Sequence, residues 1–179
     1  GLVGSEMCIR DSDSCLQWKD DNVAALNNYA YYISLKGKEL HKAEQMSFKT
    51  IKAEPKNGTY LDTYAWILFM EERYHEAKIY IDQAIANLDS TQNNNTVIEH
   101  AGDIYAMNGL TEEALKFWKQ SYDAGNKSEG IMTKIKNKRY ITEEEIKRMT
   151  GGSTVTPDRK SQSRSGAKKN NKLRNGKKK

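Results

Sequence analysis

Three stretches of this chain repeat one pattern, and that repetition constrains the fold more than any single residue does. Leu26, Tyr29, Ala30 and Ile33 recur as Leu61, Tyr64, Ala65 and Leu68, and again as Ile98, Ala101, Gly102 and Tyr105. A second set follows each: Leu40 with Ala43, Tyr74 with Ala77, Thr111 with Ala114. The offsets are 35 and 37 residues for the first set and 34 and 37 for the second. A period of this size implies stacked helix pairs, each too small to bury its own apolar face. The expected fold class is therefore all-α, an α-solenoid of about three helix-turn-helix units. Arrays of this kind usually bind other proteins.

Spacing supplies the helices. Leu61, Tyr64, Ala65 and Leu68 step i, i+3, i+4, i+7, one stripe of an α-helix over Thr59 to Glu72. Trp66, Ile67, Phe69 and Met70 occupy its other faces, so this helix is apolar nearly all round and should lie between neighbours. Its partner, Tyr74 to Asn87, puts Ala77, Ile81, Ala84 and Ile85 on one face, where alanine permits close approach. The first pair reads as Val23 to Leu35 and Leu40 to Ala53, with Gly37 in the turn. Pro55 and Asn57-Gly58 break the chain before the next helix. The third pair reads as Thr96 to Met107 and Thr111 to Ala124, with Gly109 turning it and Gly125 ending it. Ser128 to Tyr140 places Ile131, Met132 and Ile135 at helical spacing among lysines, as a capping helix would. Thr142 followed by Glu145 matches an N-cap with its capping-box acid and opens a short helix to about Met149.

Charge divides the chain as sharply as pattern does. From Thr150 to Lys179 there are ten Lys or Arg against the single acid Asp158, a net of +9, and no aromatic residue. The whole chain is +5, so residues 1–149 carry −4: a basic tail on a mildly acidic body. Rich in Gly, Ser, Asn and Lys, the tail reads as disordered. Cys8 and Cys15 form no CxxC pair and have no His nearby, which argues against a disulfide framework or a zinc site. No apolar run approaches the roughly 20 residues needed to span a bilayer. There is no signal peptide with a basic start and apolar stretch.

The first twelve residues, GLVGSEMCIRDS, lack an initiating Met and resemble a translated sequencing-adapter string, which implies that they are not native. Leu16 to Asn22 then reads as the end of a helix and an inter-repeat turn left from an upstream unit. The resulting organisation is a non-native leader at 1–12, an upstream remnant at 13–22 and a first unit at 23–56. A second unit with its polar linker occupies 57–94 and a third 95–125. The capping and terminal helices take 126–149, and the basic tail 150–179. With upstream repeats missing, Tyr29, Tyr32 and Ile33 are expected to be exposed on the first helix and to favour self-association.

The three units resemble tetratricopeptide repeats (TPRs) over residues 23–124. The likeness rests on a small residue where paired helices touch (Ala30, Ala65, Gly102), a turn glycine, an alanine in the second helix, and Pro55 after it. Leu26-Asn-Asn-Tyr-Ala-Tyr-Tyr32 and Tyr60-Leu-Asp-Thr-Tyr-Ala-Trp-Ile-Leu68 resemble the closing repeats of certain bacterial TPR proteins. Many of those carry a lipoprotein signal far upstream, which implies the periplasmic side of the cell envelope; the cytoplasm is the alternative. The chain departs from the pattern where Glu72 replaces a turn glycine, where only Pro55 fills the proline position, and where one extra residue precedes Ala43.

The resemblance implies a concave groove lined by the first helix of each pair. The face beside the packing stripe offers Asn27 and Tyr31, then Asp62, Trp66 and Phe69, then Glu99, Asp103 and Met107. Asp62 and Asp103 are expected to face the groove, whereas Trp66 and Phe69 either line it or pack against the next repeat. Aromatic anchors ringed by acids suit a protein or peptide ligand with apolar side chains and some Lys or Arg.

Catalytic patterns are missing: no phosphate loop, no HExxH, no GxSxG, and no metal ligand set or cofactor motif. His41 and His75 stand a whole unit apart near the starts of second helices, where exposure is expected. His100 is expected to hydrogen-bond locally. The leading function is thus a non-enzymatic scaffold that binds a peptide or partner helix, as part of a longer array. The alternative is polyanion binding, to RNA, DNA or an anionic membrane, by the tail clusters Arg159-Lys160, Lys168-Lys169, Lys172, Arg174 and Lys177-Lys178-Lys179. With no aromatic interleaved, the tail lacks base stacking.

Overall fold

The computed structural model describes residues 22–151. Eight α-helices and no strands occur among these residues: α1 Val23–Leu35, α2 Leu40–Ala53, α3 Gly58–Met70, α4 Tyr74–Ala86, α5 Asn95–Met107, α6 Thr111–Asp123, α7 Glu129–Asn137 and α8 Glu143–Met149. The leader, the upstream remnant and the basic tail beyond Gly151 lie outside the described residues. Helices pair as α1 with α2, α3 with α4 and α5 with α6. Each second helix also packs on the next first helix, while α1, α3 and α5 adjoin along one side.

Repeat positions have the same job in each unit. Ala43, Ala77 and Ala114 are all fully buried, which lets paired helices approach closely. Gly102 takes the place of Ala30 and Ala65 because the indole of Trp118 fills the space a methyl group would need. Trp118 is itself fully buried, so neither side has room to give. The all-round apolar helix α3 sits in the middle, with eleven of its thirteen residues buried.

Turn chemistry explains the departures from pattern. Gly37 and Gly109 adopt φ of +65° and +77°, the left-handed region that glycine enters freely. Glu72, at the equivalent position, adopts φ +63° as well, so the repeat geometry is kept at the cost of local strain. The extra residue of the first unit is absorbed by Glu39, left-handed at φ +51° just ahead of α2. The Asn57 side chain caps α3 by accepting from the Tyr60 N–H at 3.2 Å. Thr142 caps α8 by accepting from the Glu145 N–H at 3.2 Å. The Glu145 carboxylate does not complete the expected capping box; it pairs with Arg139 at 2.7 Å.

On α1, Tyr29 and Tyr32 are exposed as expected, but Ile33 is not. It packs into a buried cluster with Ala30, Ala43, Met46 and Ile67. His41 and His75 are exposed. No helix among the described residues is long and apolar enough to cross a membrane.

Candidate functional site

The inner face formed by α1, α3 and α5 is covered in part by the C-terminal helices. Lys134 of α7 is buried, with its ammonium 2.8 Å from Asp103 and 3.1 Å from Glu99. Just past α7, the Tyr140 ring meets Phe69 edge-on at 5.1 Å, and Ile141 is almost fully buried beside it in sequence. The chain then enters α8. A cavity of about 860 Å³ remains between the two walls. Tyr31, Trp66, Glu99 and His100 contribute from the repeats; Lys134, Tyr140, Glu143 and Ile146 contribute from the C-terminal segment.

Behind this cavity lies a polar network between helices. His100 Nδ1 is 2.8 Å from Asp62 Oδ1, joining α5 to α3, and both side chains are buried. Burial opposes charge on His100, but the adjoining Asp62 carboxylate, with Asp103 and Glu99 nearby, more than reverses this. The imidazole is held above its ordinary value. Asp103 accepts from Trp118 Nε1 at 3.0 Å as well as from Lys134. Burial pushes the Asp103 carboxyl up against the pull of the Lys134 ammonium. Burial opposes charge on Lys134 too, yet Asp103 and Glu99 together hold it above the usual lysine range. Glu99 also accepts from Asn126 Nδ2 at 2.8 Å.

Trp66 stacks on His100 at 4.0 Å and on Phe69 at 4.6 Å, with interplanar angles of 16° and 15°. Its ring faces are thereby occupied, while its buried Nε1 donor has no partner. Buried donors in native structures nearly always find an acceptor, so this one stands out at a cavity wall.

Of the eight residues read from sequence as groove-lining, Tyr31, Trp66 and Glu99 border the cavity. Asp62 and Asp103 are a correction: both are buried, because His100 and Lys134 turn them into internal ion-pair partners. Phe69 is buried beneath Tyr140, which settles its alternatives in favour of packing. Asn27 is buried with an unpartnered Oδ1, and Met107 is exposed away from the cavity lining. His100 does not bond locally; its partner is 38 residues away. Sequence reasoning missed the C-terminal wall of Lys134, Tyr140, Ile141 and Ile146. Its signal was the apolar set Ile131, Ile141 and Ile146 at the edge of a segment dismissed as a polar cap. No group of His, Cys, Asp and Glu suited to a metal ion occurs among the described residues. The nine basic tail residues of the alternative site lie outside them.

Helix pairs repeating every 34 to 37 residues around a hollow inner side define the tetratricopeptide-repeat fold. The first TPR domain of Spaghetti (RPAP3), solved with the HSP90 peptide SRMEEVD, matches with a TM-score of 0.58 at 15% identity. That match covers 67% of this chain and 92% of that one. The first TPR domain of human RPAP3 matches at 0.57 and 14% identity, over 73% and 96% of the two chains. The N-terminal domain of the stress-induced protein STI-1 from C. elegans matches at 0.53 and 20% identity, over 66% and 94%. No family model matches the sequence, and no curated protein matches it.

Proposed function

We propose that this chain is a non-enzymatic interaction module that holds a short peptide segment of another protein between its repeats and its C-terminal helices. The observation that carries this reading is the 860 Å³ cavity with an unpartnered, buried Trp66 indole N–H at its wall. The volume falls within the roughly 300–1,000 Å³ of ordinary ligand sites. A peptide carbonyl is the acceptor that the indole lacks. Tyr31, Leu35 and Ile146 offer apolar contact, and Asn93 and Asn126 offer amides for main-chain bonding. That the Spaghetti TPR domain was solved with a bound peptide supports the same class of ligand.

Size and charge narrow the ligand. A helix is about 10–12 Å wide with its side chains, so this space accommodates only roughly six helical residues end to end. An extended peptide or the tip of a helix fits better than a whole helix laid lengthwise. Glu129 and Glu143 face Lys147 at the rim, and Lys134 is already engaged by acids. A slight acidic bias is left, which favours a peptide carrying Lys or Arg.

The test is selection from a displayed random peptide library with the full chain, followed by variants Tyr31→Ala and Glu143→Lys. Binding that falls at least tenfold with both, and that survives Lys177→Gln/Lys178→Gln/Lys179→Gln, supports the module. Binding indifferent to the cavity variants but abolished by the tail variant favours polyanion binding instead.

A further inference from the structure

Repeat symmetry reveals a surface on α1 that its counterparts do not expose. The three first helices start in register, with Asn22, Asn57 and Asn94 at the residue before each helix. In that register Tyr29 corresponds to Tyr64 and Ala101, and Tyr32 corresponds to Ile67 and Ile104. The four residues on α3 and α5 are at most 6% exposed, whereas Tyr29 and Tyr32 are 43% and 55% exposed. The cause is visible in the stacking. Tyr64 meets Phe48 of α2 at 6.0 Å and reaches Glu44 through its hydroxyl, and Ile67 clusters with Ala43 and Met46 of α2. Ala101 and Ile104 share a buried cluster with Ala77, Ile81 and Ala84 of α4. Among the described residues no second helix lies over α1 in this way.

The sequence ahead of α1 carries the matching piece. Leu16 stands six residues before Asn22, as Ile51 stands six residues before Asn57. Ile51 is buried in one cluster with Tyr60, Leu61 and Tyr64 of the following helix. Trp18 likewise stands where Ala53 ends α2. We infer that Leu16 and Trp18 belong to the last turn of a further second-type helix, which lies across α1 and covers Tyr29 and Tyr32 as α2 covers Tyr64 and Ile67. This surface is a continuation of the repeat stacking interface, and its occupant is the polypeptide leading into Asn22. It does not depend on the peptide-binding reading.

The experiment compares the full 179-residue chain with Leu16→Asp and Leu16→Ile by thermal unfolding, amide hydrogen exchange and sedimentation velocity. The expected result is a melting temperature lowered by about 5 °C in Leu16→Asp, a size typical for one lost apolar contact in a domain of this length. Exchange should accelerate at least tenfold in α1 relative to α5, with Leu16→Ile unchanged in both respects. An aspartate variant indistinguishable from the parent would overturn the inference. So would a dimer that dissolves on Tyr32→Asp but persists in Leu16→Asp, since a second copy would then be the occupant.

Discussion

Replacing Lys134 by Met removes one buried charge while keeping most of the side chain's length. In the parent, its ammonium lies 2.8 Å from Asp103, and Asp103 is only 2% exposed. Breaking a buried pair from one side typically costs about 3–5 kcal/mol, because the remaining charge has lost its compensation. Asp103 keeps its hydrogen bond from Trp118 at 3.0 Å, which places the expected loss at the low end, about 3 kcal/mol at pH 7. Urea denaturation measures it as a lower midpoint with an unchanged slope. The sign of the pH dependence is fixed. Without the ammonium, the Asp103 carboxyl rises further above its unfolded value of roughly 3.9. A group raised in the folded state is fully favourable below its unfolded value and loses stability as pH climbs through the folded one. The variant's deficit should therefore be small near pH 4 and complete by pH 7. Asp103→Asn/Lys134→Met should recover more than half of the loss, since neutral partners leave no stranded charge. A single variant within about 0.5 kcal/mol of the parent at pH 7, a spread ordinary for surface changes, would refute the reasoning. A deficit independent of pH would do the same.

Gly102→Ala gains about 1 kcal/mol of helix propensity but presses a methyl into the Trp118 indole, at a cost of about 2–3 kcal/mol. A net fall in stability is expected by calorimetry; a rise would mean that the indole is free to move. Glu72→Gly relieves a left-handed glutamate and should raise stability by about 0.5–1 kcal/mol, whereas the same change at exposed, right-handed Lys36 should lower it. His100 titrates above its ordinary value because Asp62 adjoins it, despite burial. Its contribution is complete below about pH 6.5, the unfolded value, and fades as pH rises through the folded one. Unfolding free energy followed from pH 6 upward should decline in the parent and stay flatter in His100→Gln; equal slopes would contradict this.

The helices were legible in the sequence because their determinants are local and repeated. Ala43, Ala77 and Ala114 mark the close contacts, and Gly37 and Gly109 mark the turns. Even the Glu72 departure was visible as a missing glycine, although only the structure shows that the backbone keeps its left-handed turn there. The inner face was harder to read. Whether Asp62 or Asp103 faces water depends on what lies opposite, and those partners, His100 and Lys134, sit 38 and 31 residues away. A lysine in a charged-looking helix gives no local sign that its ammonium is headed for a buried carboxylate. Tyr140 and Ile141 likewise look like the end of a cap until the chain's return over Phe69 is known. Stacking follows from repetition, but the second wall of the cavity comes from a segment that does not repeat.

That second wall is best examined by a NOESY spectrum of the full chain with its aromatic and methyl groups assigned. Cross-peaks from the Tyr140 ring to Phe69, and from the Lys134 side chain to the Trp118 indole, are the result expected if the C-terminal helices close over the repeats. Cross-peaks between repeat neighbours alone, with Tyr140 and Lys134 showing contacts only within their own segment, would leave the inner face open and contradict the cavity.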